Sequence, residues 1–333
     1  MRQKKRSQPT NRYLAYGALL LATAIWGGAT AVIKLTLDYI PLFTFLFYRF
    51  LIVCLILLPI TYYELKRIHI KLNELPTFLL LGLTGQSAIL LIFAGIKYTS
   101  AVDAAIIGTI APIMIIAAGH YFYKDKISKK LEIGILIATI GTIFVVFEPA
   151  VTESGFTATA WERMYGNFLV VLYNVSFAAY IILSKKVMGK KSPQISKTLE
   201  ALNIKPLSKN YSPFLHTSLS FYVALITFIP LAILEAKGYF GAQPFNIFEI
   251  TPTPLLGLLY MAIISSIVAY FAFQWGLENA RVSDTGVFAY LGPVFTVPFA
   301  YILLHEIPSS AVVIGTIIIA IGVYIAEMNR RHM

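Results

Sequence analysis

The decapeptide DAAIIGTIAP, Asp103 to Pro112, returns later in the chain as DTGVFAYLGP, Asp284 to Pro293. Each copy opens on Asp, closes on Pro and holds no charge between them. At the constant offset of 181 that takes Asp103 to Asp284, the correspondence extends both ways. Gly95 meets Gly276, Asp125 meets Glu306 and Ser128 meets Ser309, while Gly134 and Gly141 meet Gly315 and Gly322. The starts of the two units match more weakly: WGGATAVIK, Trp26 to Lys34, lies against FAAYIILSK, Phe177 to Lys185. One chain thus carries a related unit twice.

Composition says where the units sit. Of 333 residues, 58% are hydrophobic and 13% charged, whereas soluble domains are about a quarter charged. Apolar runs of about twenty residues recur along the chain, each long enough to cross a bilayer as a helix. The single cysteine, Cys54, leaves no disulfide framework or Cys-based metal site within the chain. MRQKKR followed by YLAYGALLLATA has the form of a signal peptide, with Ala22 and Ala24 as an A-x-A site. The apolar run continues through IWGGATAVI, so it reads as an uncleaved first span.

Ten spans are expected, near 14–34, 42–62, 75–96, 103–123, 131–148, 166–185, 214–234, 254–276, 284–304 and 309–326. Basic residues set their orientation. On one side lie the N-terminal tail (1–13), the loops after the second, fourth, sixth and eighth spans, and the tail 328–333. They hold 22 of the 27 basic residues. The other side holds Lys97, Arg163 and Lys237, and Lys34 and Arg49 fall within spans. Both ends are therefore expected in the cytoplasm. A solvated basic face near anionic lipid accounts for the net charge of +11 without nucleic acid. The longest loop, about 186–213, reads as a flexible basic linker.

The expected fold is an all-α polytopic membrane protein in two five-helix units, 14–148 and 166–327, joined by an external connection at 149–165. Five is odd, so the second unit enters the membrane from the opposite side. Such inverted repeats suit alternating access, because exchanging the conformations of two similar halves converts one open state into the other.

The ordered set IWGGATAVIK, FYRFLI, GIKYTSAVDAAIIGTIAPI and HYFYKDKIS, with GLENARVSDTGVFAYLGPVFTVPFAYILLHEIPSSAVVIGTIIIAIGVYI in the second half, resembles EamA-like members of the drug/metabolite transporter superfamily over about residues 14–327. The resemblance implies a ten-helix carrier with a central cavity. It further implies a small-molecule substrate such as an amino acid, another metabolite or a drug, commonly moved outward across the bacterial inner membrane. The long loop after the sixth span departs from the family pattern, as does Phe177, where the second repeat often carries Trp.

Single residues leave alternatives open. Asp103 and Asp284 start spans, where a carboxylate can accept free helix N–H groups; proton coupling is the other reading. Asp125 and Glu306, just past those spans, are expected to organise turns. Pro112 and Pro293 are expected to kink their helices, as packing devices or hinges, with Ala104, Gly108 and Pro112 forming a small-residue face for close helix approach. Arg49 lies deep in the second span, bonded within the protein or contacting an anion in the cavity. Lys34 adds positive charge toward the outer mouth. Candidates for the cavity wall are Trp26, Gln86, Asn174, Tyr180, Ser265, Ser266, Tyr270, Gln274 and Tyr290, since pockets combine apolar walls with a few placed polar groups. Glu132, Glu148 and Glu327 lie near span ends, so no buried carboxylate is expected mid-span.

Other classes fit less well. Gly85–Ala88 reads GQSA, a G-x-S form, and His120 lies one span on, but their depths differ, which argues against an intramembrane serine protease. A channel or receptor-like protein leaves the inverted repeat unexplained. No motif for a metal, nucleotide or other cofactor is present.

Overall fold

The computed structural model describes residues 9–68, 70–123, 128–153, 157–187, 193–202, 211–241, 245–279, 288 and 290–328. Asp125, Arg281 and Asp284 lie outside them, as does the side chain of Gln274. Among the described residues there is no strand. The helices are α1 (Pro9–Leu37), α2 (Leu42–Arg67), α3 (Leu75–Tyr98), α4 (Ala101–Gly108), α5 (Ala111–Tyr123), α6 (Lys129–Thr152), α7 (Ala158–Val187), α8 (Pro193–Ala201) and α9 (Pro213–Ala236). They continue with α10 (Pro252–Leu259), a π-helical stretch (Tyr260–Val268), α11 (Ala269–Asn279), α12 (Gly292–Leu304) and α13 (Ser310–Met328).

Eight described segments are long and apolar enough to cross a membrane, and two shorter apolar helices, Gly292–Leu304 and Ser310–Ile325, complete the set of ten. In hydrocarbon every backbone polar group must be bonded internally, which helices achieve. Their outward faces carry exposed aliphatic side chains such as Leu55, Leu58, Ile140, Ile143, Ile302 and Ile317. In water such a belt would be a liability; against lipid tails it is the solvated surface.

The helix packing repeats. α3 lies along α7, and its counterpart α11 lies along α1. The α4–α5 pair packs on α7, and its counterpart α12 packs on α1. α2 pairs with α9, and α6 with α13. Exchanging each helix for its relative maps this contact pattern onto itself, as a pseudo-two-fold axis requires. Glycines show the same exchange at the level of atoms. A Cβ on Gly95 would lie 3.0 Å from the carbonyl oxygen of Gly166, and one on Gly276 would lie 3.2 Å from that of Ala15. Ala15 corresponds to Gly166 in the register that takes Trp26 to Phe177. Ser128 and Ser309, another matched pair, both cap a helix: their Oγ atoms accept from Leu131 N at 3.3 Å and Val312 N at 3.1 Å.

Three expectations are corrected. The fourth span is broken, not kinked. α4 ends at Gly108, the amides of Thr109 and Ile110 close tight turns on Ile106 and Ile107, and α5 begins at Ala111. Pro112 sits in the first turn of α5, where its missing N–H costs least, and Pro293 holds the same place in α12. Gly108 is not a close-approach site, since a Cβ there would meet nothing within 4 Å. Finally, the loop after α7 is not wholly a linker. α8 buries Ile195 and Leu199 against Ile182, Phe122 and Tyr123, an apolar anchor on a basic segment.

Candidate functional site

The two ends of the bundle are named here by their turns: the α1–α2 turn at one end, the α2–α3 turn at the other. Between them the π-helical stretch widens the ladder of its helix, and Ser266 Oγ donates to Met261 O, five residues back, at 2.8 Å. Such insertions are frequent at functional sites. The neighbouring Ser265 carbonyl accepts Trp26 Nε1 at 3.0 Å, and Tyr260 Oη donates to Ile25 O at 2.7 Å. Two bonds thus fasten α1 to the widened turn. Ser266 Oγ also accepts from Arg49, at 3.1 Å from Nε and 2.9 Å from Nη2.

Arg49 is 7% exposed. Its guanidinium carbon lies 5.4 Å from the ring centroid of Phe50 and 5.2 Å from that of Phe93, within cation–π range. Among the described residues it has no carboxylate partner, and one serine oxygen is its sole hydrogen-bond acceptor.

An aromatic line runs from this charge. Phe50 stacks on Phe228 at 5.7 Å and touches Phe221 at 5.7 Å, and Phe221 meets Tyr270 at 6.4 Å. The Tyr270 hydroxyl bonds the Thr217 hydroxyl. On α7, Tyr173, Phe177 and Tyr180 stack in sequence at 5.9 and 6.3 Å. The Tyr180 ring lies over Gly85, where a Cβ would come within 3.2 Å of it. Next to that glycine in the sequence, Gln86 accepts at its side-chain oxygen from the hydroxyl of Thr227 on α9.

The structure therefore gathers Trp26, Arg49, Ser265 and Ser266 into one cluster, with Gln86, Tyr180 and Tyr270 along the aromatic surface. Asn174 lies apart from both. It is fully buried, and its Nδ2 donates to Ile107 O and Val170 O, both at 3.1 Å. The first of these carbonyls lies at the break between α4 and α5, so Asn174 fastens the break to α7. Tyr290, with a buried hydroxyl, lies two residues before α12. Phe50, Phe93, Phe221 and Phe228 were not singled out from the sequence, because apolar aromatics in an apolar span carry no distinguishing signal. Ser87 is exposed, and its hydroxyl donates to Leu83 O in its own helix at 2.7 Å.

The α1–α2 end holds a second charged region. Arg163 Nη2 bonds Asp103 Oδ2 at 2.9 Å and Glu148 Oε2 at 3.1 Å, and Nη1 bonds Glu153 Oε1 at 2.9 Å. Glu148 is fully buried and Asp103 is 2% exposed, both toward the ends of their spans rather than mid-span. α7 begins earlier than its apolar run and carries Arg163 inward to meet them. Asp103 does not cap α4. Ser100 Oγ accepts Asp103 N at 2.9 Å, and Glu306 Oε2 accepts Ala101 N at 2.8 Å and Val102 N at 3.3 Å. Lys34 is not a free charge at a mouth either, because its Nζ donates to the carbonyls of Ile96 and Thr99 at the end of α3. These residues border a cavity of about 350 Å³ lined by Asp103, Glu148, Glu153, Arg163 and Glu306. Outside the spans, burial pushes the Glu306 carboxyl above its ordinary range, with Lys34 opposing. The Thr159 hydroxyl and Arg163 hold Glu153 below it. A larger cavity, about 450 Å³, lies between α2 and α9 with mainly apolar walls. Its carboxylate, Glu235, is committed to Phe43 N and Thr44 N at 3.2 and 2.7 Å. Among the described residues no group of His, Cys, Asp or Glu is arranged to hold a metal ion.

Known proteins share this architecture. An uncharacterised transporter of Archaeoglobus fulgidus is 26% identical over 315 residues, 94% of this chain and 97% of its own. The uncharacterised transporter YetK of Bacillus subtilis is 25% identical, covering 96% and 88%. A probable amino-acid metabolite efflux pump of Salmonella typhimurium is 27% identical, covering 92% of each chain. One solved structure superposes with a TM-score of 0.57 over 98% of this chain and 99% of its own at 16% identity, a likeness of fold. The family match falls twice, once on each repeat, over residues 14–147 and 164–328: the chain is an integral membrane protein of the EamA-like transporter family.

Proposed function

We propose that this transporter is a secondary carrier that moves a small metabolite by alternating access between its two repeats, 14–148 and 166–327. The observation that carries the reading is the exchange symmetry of the packing, in which α3–α7 answers α11–α1 and Gly95 answers Gly276. Two halves with interchangeable contacts can exchange conformations and so open opposite faces in turn. The concentration of basic residues on one side supports both termini in the cytoplasm of a bacterial inner membrane. The α1–α2 end, which carries the Arg163 cluster, then faces outward. The name of the Salmonella relative supports export.

The substrate path runs along the aromatic surface. Trp26, Arg49, Ser266, Gln86, Tyr180 and Tyr270 line it, with Ser265, Asn174 and Tyr290 supporting the helices behind, and Gln274 on the facing helix. Pro112 and Pro293, each starting the second half of a matched helix, one running inward and the other outward, are its hinges, and Asp103 and Asp284, which open the matched segments in the sequence, are assigned a structural role. Purified protein in liposomes preloaded with unlabelled metabolites tests this. A carrier accumulates labelled substrate transiently by counterflow, whereas a channel only equilibrates it, and that second result would overturn the proposal.

A further inference from the structure

We infer that Arg49 selects for substrates carrying a single carboxylate on an apolar body, and that Ser266 holds the guanidinium in place until such a group arrives. This deepens, and rests on, the carrier reading proposed above. The argument begins with an imbalance. A guanidinium has a planar fork of N–H donors, and here one hydroxyl oxygen takes both bonded groups, Nε and Nη2. No carboxylate among the described residues lies in ion-pair range, although the residue is 7% exposed and lies within the second span. Charges buried in this way are ordinarily paired. Arg163, in the same protein, has three carboxylates.

Geometry narrows the ligand. A carboxylate can bridge two N–H groups of an Arg in parallel, which a hydroxyl cannot do and a Lys cannot offer. Arg49 is the lone cation of its cluster, so it neutralises one negative charge, and a dianion would bring a second, unmatched charge into an apolar site. Phe50, Phe93, Phe221 and Phe228 supply the wall beside it. The rest of the ligand is therefore aliphatic or aromatic. Ser266 sits on the π-turn, which also carries the Ser265 carbonyl that holds Trp26. Moving Arg49 from Ser266 to a ligand therefore alters the helix that clasps α1, which links occupancy to the contact between the repeats.

The test uses the purified full-length protein and three acids with their primary amides: benzoate, phenylacetate and 3-methylbutanoate. Thermal stabilisation is measured for each, and counterflow is measured in liposomes. At least one acid should raise Tm where its amide does not, and Arg49→Gln should abolish that difference. Arg49→Lys should weaken acid binding about tenfold, through loss of the paired bonds. Ser266→Ala guards against an Arg49 variant that fails to fold. It removes the acceptor with which the acid competes, so acid binding should tighten about fivefold, one hydrogen bond's net worth. A merely structural arginine would instead lose stability in Ser266→Ala with acid binding unchanged. Equal shifts from acid and amide, an undiminished shift in Arg49→Gln, or no response to any of the acids overturns the inference. The carrier reading survives those results if neutral or cationic metabolites still show counterflow, and falls by itself if none does.

Discussion

Two arginines of this membrane protein, the half-buried Arg163 and the buried Arg49, sit in opposite circumstances. Arg163 meets Asp103, Glu148 and Glu153 within about 3 Å, at the end of the bundle. Arg49 lies deeper, on one serine hydroxyl between two phenyl rings. The first site is saturated with its own counter-charges, so it has nothing to offer a ligand and much to lose if broken. The second is under-supplied, so it contributes little to stability and can be completed from outside. A fully paired buried charge organises structure; a partly paired one is the better place to look for recognition.

The largest effect should come from breaking the saturated site. Arg163→Ala leaves the fully buried Glu148 and nearly buried Asp103 without the guanidinium that bonds both. Removing one partner from a buried ion pair costs about 3 kcal/mol or more, and Ser309, which bonds Glu148, cannot replace a charge. Denaturation of the purified variant in detergent should show a loss of that size. Glu148→Gln in the same background should recover part of it. A loss below about 1 kcal/mol would mean that the cluster is solvated like a surface pair.

Lys34→Met should fall next. The ammonium caps the carbonyls at the end of α3 and faces Glu306, Asp38 and Asp103. Losing a cation from a helix C-terminus together with its hydrogen bonds costs about 1–2 kcal/mol. Arg49→Gln should cost less, within about 1 kcal/mol, because the lost bond to Ser266 is offset by removing a charge that the protein leaves incompletely matched. The order Arg163, Lys34, Arg49 in thermal stability is the comparison in its sharpest form, and reversing the first and last would erase it.

How much of this the sequence discloses depends on the range of the signal. Membrane spans are local, since hydropathy over about twenty residues suffices. The repeat is visible because it preserves a register, and the capping role shared by Ser128 and Ser309 follows from that register. The break after Gly108 is half visible: Pro112 announces a discontinuity, but the two-residue turn before it depends on Asn174 across the interface taking up Ile107 O. The pairing of Glu148 with Arg163 is invisible because both residues sit near span ends, where charges normally reach water. Only the meeting of α4, α6 and α7 turns those ends inward. The partner of Arg49 is hidden for a similar reason. Ser266 is one of two adjacent serines in an apolar span, and the π-turn that presents its oxygen has no compositional mark.

The smallest effect distinguishes two carboxylates that line the cavity at the α1–α2 end of the bundle, Glu306 and Glu153, by the sign of their pH dependence. Burial raises the Glu306 pKa above its ordinary 4.5, with the nearby Lys34 charge acting against the rise and Asp103 adding to it. A raised carboxylate takes up a proton on folding, so its contribution to stability is greatest below the ordinary value and is lost as pH rises through the raised one. Glu153 is displaced the other way, by the hydroxyls of Thr159 and Thr157 and by Arg163. Its contribution is present above the ordinary value and disappears as pH falls through the lowered one. Each glutamate replaced singly by glutamine should therefore tilt Tm against pH in opposite directions between about pH 3.5 and 6, a window set by ordinary carboxylate values. Relative to wild type, Glu306→Gln should gain as pH rises, since the amide oxygen still accepts the α4 amides without carrying a buried charge. Glu153→Gln should lose as pH rises, since the amide forfeits the attraction of Arg163. Slopes of the same sign would mean that Glu306 is solvated as freely as Glu153, and that the end of the bundle is open to water where the packing of Glu306 against α4 closes it.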